Sequence, residues 1–110
     1  MRADYSDFIK KMPQADLPMP GITGYLLSGE AGQVVFFDLP AGTSVPPHSH
    51  GAQWGIVVDG EIELTISGVT KTYKPGDSYH IGDGEEHAAV FKTAAKIIDV
   101  FADNSRYTAK

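Results

Sequence analysis

Apolar positions recur with a helical spacing only near the start of the chain. Four apolar residues there follow the i, i+3, i+4, i+7 spacing that places side chains on one stripe of a helix. They are Tyr5, Phe8, Ile9 and Met12. Asp4 could cap this helix, and Pro13 ends it. Because two turns are marginal in water alone, we expect the helix either to close one end of the core or to act as a lid or dimer contact.

The rest of the chain alternates as β-strands do. Polar and apolar residues alternate strictly from Glu61 to Ser67, which predicts one face in the core and one in water. Glycine-containing turns such as Asp59-Gly60 separate short apolar runs. The predicted strands are 22–28, 33–39, 53–58, 61–67, 69–73, 77–81, 87–91 and 96–101. Strands this short and closely spaced predict an all-β fold, either an antiparallel sandwich or a barrel.

Length and composition narrow the picture further. The 110 residues suffice for one domain, with a helix and connector at 1–21 and a barrel at 22–110. The polar tail, 102–110, is expected to fray or to pack on a partner. The absence of cysteine excludes disulfides and thiolate metal sites, and a net charge of −5 disfavours nucleic acid as a partner. The acidic N-terminal residues argue against a signal peptide, and the short apolar runs argue against a membrane span. We therefore expect a cytoplasmic protein.

The four histidines lie between positions 48 and 87. His48 and His50 are one residue apart, so a strand would direct both imidazoles to the same face. Neutral imidazole is a common metal ligand, and Gln53 is close enough in sequence to turn back toward the pair. Taken alone, such a pair is equally compatible with two polar residues on a surface strand.

Two spaced motifs resemble those of the cupin superfamily. The first family motif, G-x5-H-x-H-x3/4-E-x6-G, is similar to the stretch formed by Gly42, His48, His50, Gln53 and Gly60. The second, G-x5-P-x-G-x2-H-x3-N, is similar to the stretch formed by Gly76, Gly82, Gly84, His87 and Phe91. Together they cover 42–91. The resemblance implies an antiparallel double-stranded β-helix, or jelly-roll barrel, here with a short N-terminal helix.

The resemblance also implies one divalent transition metal ion, which could be Ni, Zn, Fe, Cu or Mn. Its implied ligands are His48, His50, Gln53 and His87. Gln53 replaces the family's glutamate, and a loop one residue shorter precedes it, so Trp54 is the alternative occupant of that position. An amide ligand leaves the full charge on the ion, which is then held less tightly but is a stronger Lewis acid. Cupins that open or isomerise uronate sugars look similar in their ligands, and a site that has lost its metal is the alternative.

Strand alternation predicts the walls of the site. If Gln53 faces inward, Gly55 shares its side and leaves space for a substrate beside the metal. By the same parity, Ala89 and Phe91 share the side of His87. Two residues nearby are candidate catalytic groups, although each could be an ordinary strand residue: they are His80, as a general base or metal-site partner, and Tyr79, as a proton donor. Glu85 and Glu86 are expected to be solvated.

These features favour a mononuclear metalloenzyme that performs redox-neutral chemistry on a small oxygenated or sugar-derived metabolite. Isomerisation, ring-opening and lyase reactions fit a neutral ligand set. The alternatives are a metal-dependent dioxygenase and a non-catalytic module that binds or senses a small molecule. A homodimer is predicted, because the strand edges at 22–28 or 96–101 could pair across a two-fold axis.

Overall fold

The computed structural model describes residues 3–110, and within them it contains one short helix and nine strands. The all-β prediction with a short N-terminal helix is therefore confirmed. No helix in this part of the chain has the length and apolar composition needed to cross a bilayer. The elements are α1 (Asp7–Lys10), β1 (Thr23–Gly29), β2 (Gly32–Leu39), β3 (Ser44–His48), β4 (Gln53–Asp59), β5 (Ile62–Ile66), β6 (Val69–Tyr73), β7 (Ser78–Ile81), β8 (His87–Val90) and β9 (Ala95–Phe101).

The strands form two antiparallel sheets that enclose the core. One sheet has five strands in the order β1-β2-β9-β4-β7, and the other has four in the order β3-β8-β5-β6. In the five-stranded sheet, side chains of one parity are buried and those of the other are half-buried or exposed. Gln53 and Gly55 are buried while Trp54 is 42% exposed, which confirms the predicted facing of β4. The face of the five-stranded sheet that carries Gln53 therefore points to the interior.

Strand β3 is absent from the sequence-based prediction. It contains Pro46 and Pro47, which cannot donate to a neighbouring strand. The strand nevertheless forms because it lies at the edge of its sheet, pairs only with β8 within residues 3–110, and is irregular between Val45 and His48. Edge strands tolerate proline where central strands do not. The other strands lie where the sequence predicts them, within one or two residues at each end.

The N-terminal helix is shorter than its apolar stripe predicts. Only Asp7–Lys10 are helical, and Phe8 is 69% exposed. The anchor of this segment is Tyr5, which is buried and donates a hydrogen bond from its hydroxyl to the carbonyl oxygen of Phe37 at 2.7 Å. The Asp4 carboxylate accepts hydrogen bonds from the backbone N–H of Tyr5 and from Lys10. Asp4 therefore stabilises the segment, although it is not the N-cap residue.

Both strand edges proposed for pairing across a two-fold axis are occupied within the chain. Strand β9 lies between β2 and β4. The free side of β1 is covered by the connector, where Ala15 donates to Gly24 and Leu26 donates to Pro13, each at 2.8 Å. Pairing through β9 is therefore excluded, and β1 is already paired along part of its edge, whereas the homodimer itself stays a prediction.

The C-terminal tail packs on its own chain. The buried amide of Gln33 donates to the backbone carbonyl of Tyr107 at 2.8 Å and accepts from its N–H at 2.9 Å. The ring of Tyr107 packs edge-on against those of Phe37 and Phe101. At its end, Lys110 donates to Gln14 of the connector. The expectation of a frayed or partner-bound tail is wrong, because Gln33 and this aromatic contact dock it on β2 and β9.

Candidate metal centre

Three histidines, two from neighbouring strands and one from a loop, lie close together. His48 ends β3 and pairs in register with His87, which begins β8. His50 lies in the short loop that leads to β4. One ligand nitrogen from each of the three rings lies within 4.8 Å of the others. The predicted histidine cluster is thus assembled, and its members can converge on one ion.

Hydrogen bonds fix the orientation and tautomer of each ring. In every case the Nδ1 atom lies within hydrogen-bond distance of a backbone carbonyl, which can only accept, so Nδ1 carries the proton. The pairs are His48 with Pro46 at 2.9 Å, His50 with Gly51 at 2.8 Å, and His87 with Glu85 at 2.9 Å. In a neutral imidazole this leaves the Nε2 lone pair free to bind a metal ion. Carbonyl partners of this kind commonly orient metal-binding histidines.

Burial keeps two of these rings neutral. Desolvation lowers the pKa of His50 and of His87, and the hydrogen bonds from their Nδ1 atoms to the backbone oppose this shift only in part. The nearby charge of Arg106 lowers both pKa values further. A ring that stays unprotonated near neutral pH does not need to lose a proton before it binds a metal ion.

Glu85 holds the loop that presents His87. Its carboxylate accepts a hydrogen bond from the Ser67 hydroxyl at 2.7 Å and another from the backbone N–H of Gly82 at 2.9 Å. These two bonds, that from Ser67 foremost, lower the pKa of Glu85. In the same loop, Gly84 donates to the backbone carbonyl of His50. The expectation that Glu85 is merely solvated is wrong, because its side chain ties β7, β8 and the β5–β6 turn together.

Gly51 permits a close approach next to His50. Its backbone N–H donates to the carboxylate of Asp103 at 3.0 Å. A Cβ atom at position 51 would lie 2.5–2.7 Å from atoms of that carboxylate, so a larger residue would force the Asp103 side chain to move. Glycine thus allows this close contact, and its backbone does not adopt the left-handed conformation of a sharp turn.

The histidines line a cavity of about 510 Å³ whose other walls are mostly apolar. Ala89 and Phe91 lie on these walls, as strand parity predicts. The connector lines the cavity with several residues between 16 and 22, whereas α1 contributes none. A cavity of this size with few polar groups suits a small organic ligand.

A second polar cluster lies on the five-stranded sheet. The Tyr79 hydroxyl donates to Oδ1 of Asp99 at 2.6 Å, and Asp99 is only 4% exposed. Burial raises the pKa of Asp99 to about 6, while hydrogen bonds from Tyr79 and Gln53 act in the opposite direction. Because a carboxylate can only accept, Gln53 offers it the amide Nε2. The amide Oε1 of Gln53 is buried and has no hydrogen-bond partner among residues 3–110.

This donor set fits a metal ion. The three imidazoles present free Nε2 atoms, and Gln53, which lines the same cavity, has one unpartnered oxygen that an ion would satisfy. Nitrogen-rich sites of this kind suit Zn, Ni, Cu or Fe. Asp99 orients the amide and so acts as an outer partner of the set.

Gly55 does not leave space for a substrate. A Cβ at this position would collide with Oδ1 of Asp99 and with the Tyr79 hydroxyl. The room made by the absent side chain is already filled by the Tyr79–Asp99 pair. The sequence-based expectation about Gly55 is therefore wrong. A glycine fits here because the side chains of Tyr79 and Asp99 come close to its Cα atom.

Two sequence candidates lie away from the cluster. His80 is exposed and points to the opposite face of β7 from the buried Tyr79. Trp54, its neighbour on β4, shares that outer face and is not a fourth ligand. Asp99 was missed by the sequence reasoning, although an acidic residue with the inward parity of Ile97 and Phe101 signals it. The structure brings together the histidine triad, Gln53 and Tyr79, and leaves His80 outside.

Comparisons with known proteins agree with this architecture. No functionally curated protein matches the chain in sequence. A crystal structure of an RmlC-like cupin from Shewanella frigidimarina superposes with a TM-score of 0.79 at 24% identity, covering 96% of this chain and 95% of that one. KdgF from a Halomonas species gives 0.72 at 26% identity, covering 80% and 85%. A predicted oxalate decarboxylase from Thermotoga maritima gives 0.73 at 20% identity, covering 86% and 95%.

The family itself is assigned from the sequence. Residues 35–101 match the family model described as a cupin domain, Cupin_2, which is more than half of the chain. This range contains the three histidines, Gln53, Tyr79 and Asp99. The chain is a small single-barrel member of the cupin superfamily.

Proposed function

We propose that this protein binds one divalent transition metal ion and uses it as a mononuclear metalloenzyme. The proposed reaction is redox-neutral, an isomerisation, ring-opening or lyase step on a small oxygenated or sugar-derived metabolite. The observation that supports this most strongly is the set of three imidazoles with free Nε2 atoms, together with the unpartnered oxygen of Gln53. Its resemblance to the three-histidine, one-glutamine set of cupins that act on uronate sugars supports the substrate class.

The second polar cluster contains a pair of residues, Tyr79 and Asp99, that can donate and accept a proton. A metal ion held by the histidines would polarise a ligand carbonyl or hydroxyl as a Lewis acid. Tyr79 holds a proton on its hydroxyl oxygen and shares it with Oδ1 of Asp99, and both residues line the cavity. Because burial raises the pKa of Asp99 to about 6, this pair can accept and return a proton near neutral pH.

Metal content tests the proposal directly. We expect elemental analysis of untagged protein, purified without chelator, to find about one transition metal ion per chain. The variant His48→Ala should lose it, whereas His80→Ala removes an exposed imidazole outside the cluster and should keep it. No metal after reconstitution with each candidate ion, or equal loss in both variants, would contradict the ligand assignment.

Turnover separates the remaining alternatives. Because the proposed chemistry is redox-neutral, we expect the metal-loaded protein to turn over uronates or keto sugars equally well with and without oxygen. Loss of turnover under anaerobic conditions would favour a dioxygenase. Stabilisation by a metabolite without any turnover would favour a binding or sensing module.

We also infer that the protein is a homodimer formed through the outer face of the five-stranded sheet. A row of apolar side chains crosses four strands of this face in register: Leu27, Val34, Val100 and Trp54. Three of them are 40–50% exposed. The four strands that carry this row are about 4.8 Å apart and seven or eight residues long, so they span roughly 19 by 23 Å, about half of the ~800 Å² that each partner of a standard-size interface buries. The Tyr5 ring covers the neighbouring part of this face at Tyr25 and Phe36. A second copy offers the same uncharged row across a two-fold axis.

A matched pair of variants tests this interface. Val100 is 40% exposed on this face, and Val90 is 43% exposed on the other sheet. Light scattering should report a dimer for the parent protein and for Val90→Glu, and a monomer for Val100→Glu. A monomer for the parent protein at high concentration would refute the inference.

A further inference from the structure

One of the three clustered histidines lies on a loop, whereas the other two lie on strands. His48 and His87 are paired in register in the four-stranded sheet. His50 lies in the loop 49–52 between β3 and β4, which has no strand partner among residues 3–110. Supporting contacts must hold a metal ligand within about 0.5 Å of its productive position. The position of His50 therefore depends on the contacts that this loop makes with the rest of the chain.

Two hydrogen bonds hold the peptide group that joins His50 to Gly51. The carbonyl oxygen of His50 accepts from the backbone N–H of Gly84 at 2.9 Å. The N–H of Gly51 donates to Oδ2 of Asp103 at 3.0 Å. Because the two bonds act on opposite sides of one planar unit, they fix its orientation. Within the described chain, Asp103 contributes the one side chain from outside the loop that bonds to it.

Gly51 transmits this restraint to the imidazole of His50. Its carbonyl oxygen accepts a hydrogen bond from Nδ1 of His50 at 2.8 Å, which leaves Nε2 free. Glycine has more backbone freedom than any other residue, so Gly51 by itself determines the direction of this carbonyl only weakly. The hydrogen bond to the Asp103 carboxylate is charge-assisted and restricts that freedom. Asp103 thus acts on the ring through the backbone of the next residue.

The carboxylate of Asp103 is itself held by the residues on either side of it. Ala102 donates from its backbone N–H to the carbonyl oxygen of Ala52 at 2.9 Å. The side-chain amide of Asn104 donates to the carbonyl oxygen of Glu30, in the β1–β2 turn, at 3.1 Å. Asp103 is therefore in place before any ion arrives, which reduces the entropy lost on binding.

We propose that Asp103 is a positioning residue of the metal centre. Through the backbone of Gly51 it holds the His50 ring with Nδ1 protonated and with Nε2 available to the ion. The effect on metal binding rests on the proposed function, whereas the effect on the ring does not. Asp103 has no contact with the ion in this role, and it supports a histidine, whereas Asp99 supports the amide of Gln53.

The state of each ring can be tested without metal, because long-range proton–nitrogen NMR spectra show which imidazole nitrogen carries the proton. At a pH of about 9, where imidazole is neutral, the chelator-treated full chain should show Nδ1–H in all three clustered histidines. In Asp103→Ala, His50 should become a mixture of both tautomers, while His48 and His87 stay unchanged. An unchanged His50, an equal change in all three rings, or a parent protein with His50 protonated on Nε2 overturns the proposal.

Metal affinity separates the hydrogen bond from the charge. Asp103→Ala should lower the affinity for Zn²⁺ by about tenfold, as loss of an outer partner commonly does. Asp103→Asn removes the same charge but keeps a carbonyl oxygen that can accept from Gly51. Its affinity should stay within about threefold of the parent protein, because a neutral hydrogen bond replaces a charged one. Equal losses in the two variants would mean that charge alone acts, and would overturn the proposal.

A double variant tests whether the effect passes through Gly51. A Cβ atom at position 51 would lie 2.5–2.7 Å from atoms of the Asp103 carboxylate and would force it to move. Gly51→Ala should therefore reproduce the loss of affinity in Asp103→Ala. Because both changes break the same hydrogen bond, the double variant should lose no more than either single variant. Additive losses would show that the two residues act independently, which contradicts the proposal.

The ring spectra and the metal titrations distinguish the two levels of inference. A tautomer change confined to His50, in a protein that binds none of the candidate ions, would support the action of Asp103 on the ring and refute the proposed function. Tight Zn²⁺ binding that Asp103→Ala leaves unchanged, together with an unchanged His50 ring, would refute the role of Asp103 alone.

Discussion

The two sheets supply different chemistry to one cavity. The four-stranded sheet and the loop after β3 supply three imidazoles, whose Nδ1 atoms are occupied by backbone carbonyls and whose Nε2 atoms are free. The five-stranded sheet supplies Gln53, Tyr79 and Asp99, which are buried and bonded to one another. The first cluster can donate electron pairs to a metal ion, and the second can hold a proton.

The clusters also differ in how they are held. Each imidazole depends on a backbone carbonyl close in sequence, so local loop structure sets its orientation. The Tyr79–Asp99 pair depends on three strands, since β7 and β9 flank β4, where Gly55 leaves the room for it. We therefore expect changes in the first cluster to affect metal binding with little loss of stability, and changes in the second to affect stability and proton transfer.

The largest expected effect is a loss of metal affinity, which should differ between variants of the two clusters. His50→Ala should lower the affinity by at least about 100-fold, because a direct ligand is lost, and outer partners alone are worth about 10- to 100-fold. Asp99→Asn should lower it by less than about tenfold, because the amide Nε2 of Gln53 can still donate to the Asn carbonyl. Isothermal titration with Zn²⁺ or Ni²⁺ measures both. Equal losses would mean that the clusters do not divide their roles in this way.

The second effect concerns stability. Gly55→Ala should lower the free energy of unfolding by about 2–3 kcal/mol, because its Cβ would collide with the Tyr79–Asp99 pair. Gly29→Ala is the control in the same sheet, since no atom lies within 4 Å of the Cβ it would add. That variant should be neutral or slightly stabilising. Denaturant melts measure both changes, and an undisturbed Gly55→Ala variant would show that the pair can move away at little cost.

The sequence predicts most of the fold because local patterns determine it. Alternation in β4 and β5, and glycine turns between short strands, depend on neighbouring residues alone. The histidine triad can also be predicted from the sequence, because the motif spacing around His48 and His87 identifies it. Strand β3 was not predicted, because its two prolines disfavour a strand that is paired on both edges. Only the sheet order shows that one edge of β3 has no partner strand within the described residues.

The second cluster depends on contacts distant in sequence. Gly55, Tyr79 and Asp99 come from three strands, and nothing local shows that the space beside Gly55 is filled from β7 and β9. The same holds for Asp103 against Gly51, and for Arg106, which lines the cavity on a tail held by Gln33 and by the aromatic contacts of Tyr107. Parity alone could have identified Asp99, as a carboxylate on the buried side of an apolar strand.

A smaller effect is the pH dependence of stability in chelator-treated protein. Burial raises the pKa of Asp99 to about 6, from an ordinary value of 3.8, so between these values the native state binds more protons than the unfolded state. The free energy of unfolding should therefore fall as pH rises through this interval, by up to about 1.4 kcal/mol per unit, relative to Asp99→Asn. The difference should level off above about pH 7, where Asp99 is ionised in both states. A flat difference between pH 4 and 6 would mean that Asp99 stays ionised in the fold.

The smallest expected effect is on the loop that presents His87. Glu85→Gln keeps the backbone carbonyl that orients His87 but weakens the charge-assisted hydrogen bonds to Ser67 and Gly82. We expect the metal affinity to fall a few-fold, because the ring is held less firmly while its ligand atom remains. Glu86→Gln removes the same charge from the next, exposed residue and is the control for simple electrostatics. If both variants weaken metal binding equally, the effect of Glu85 is its charge; if Glu85→Gln alone does so, its hydrogen bonds set the position of the histidine.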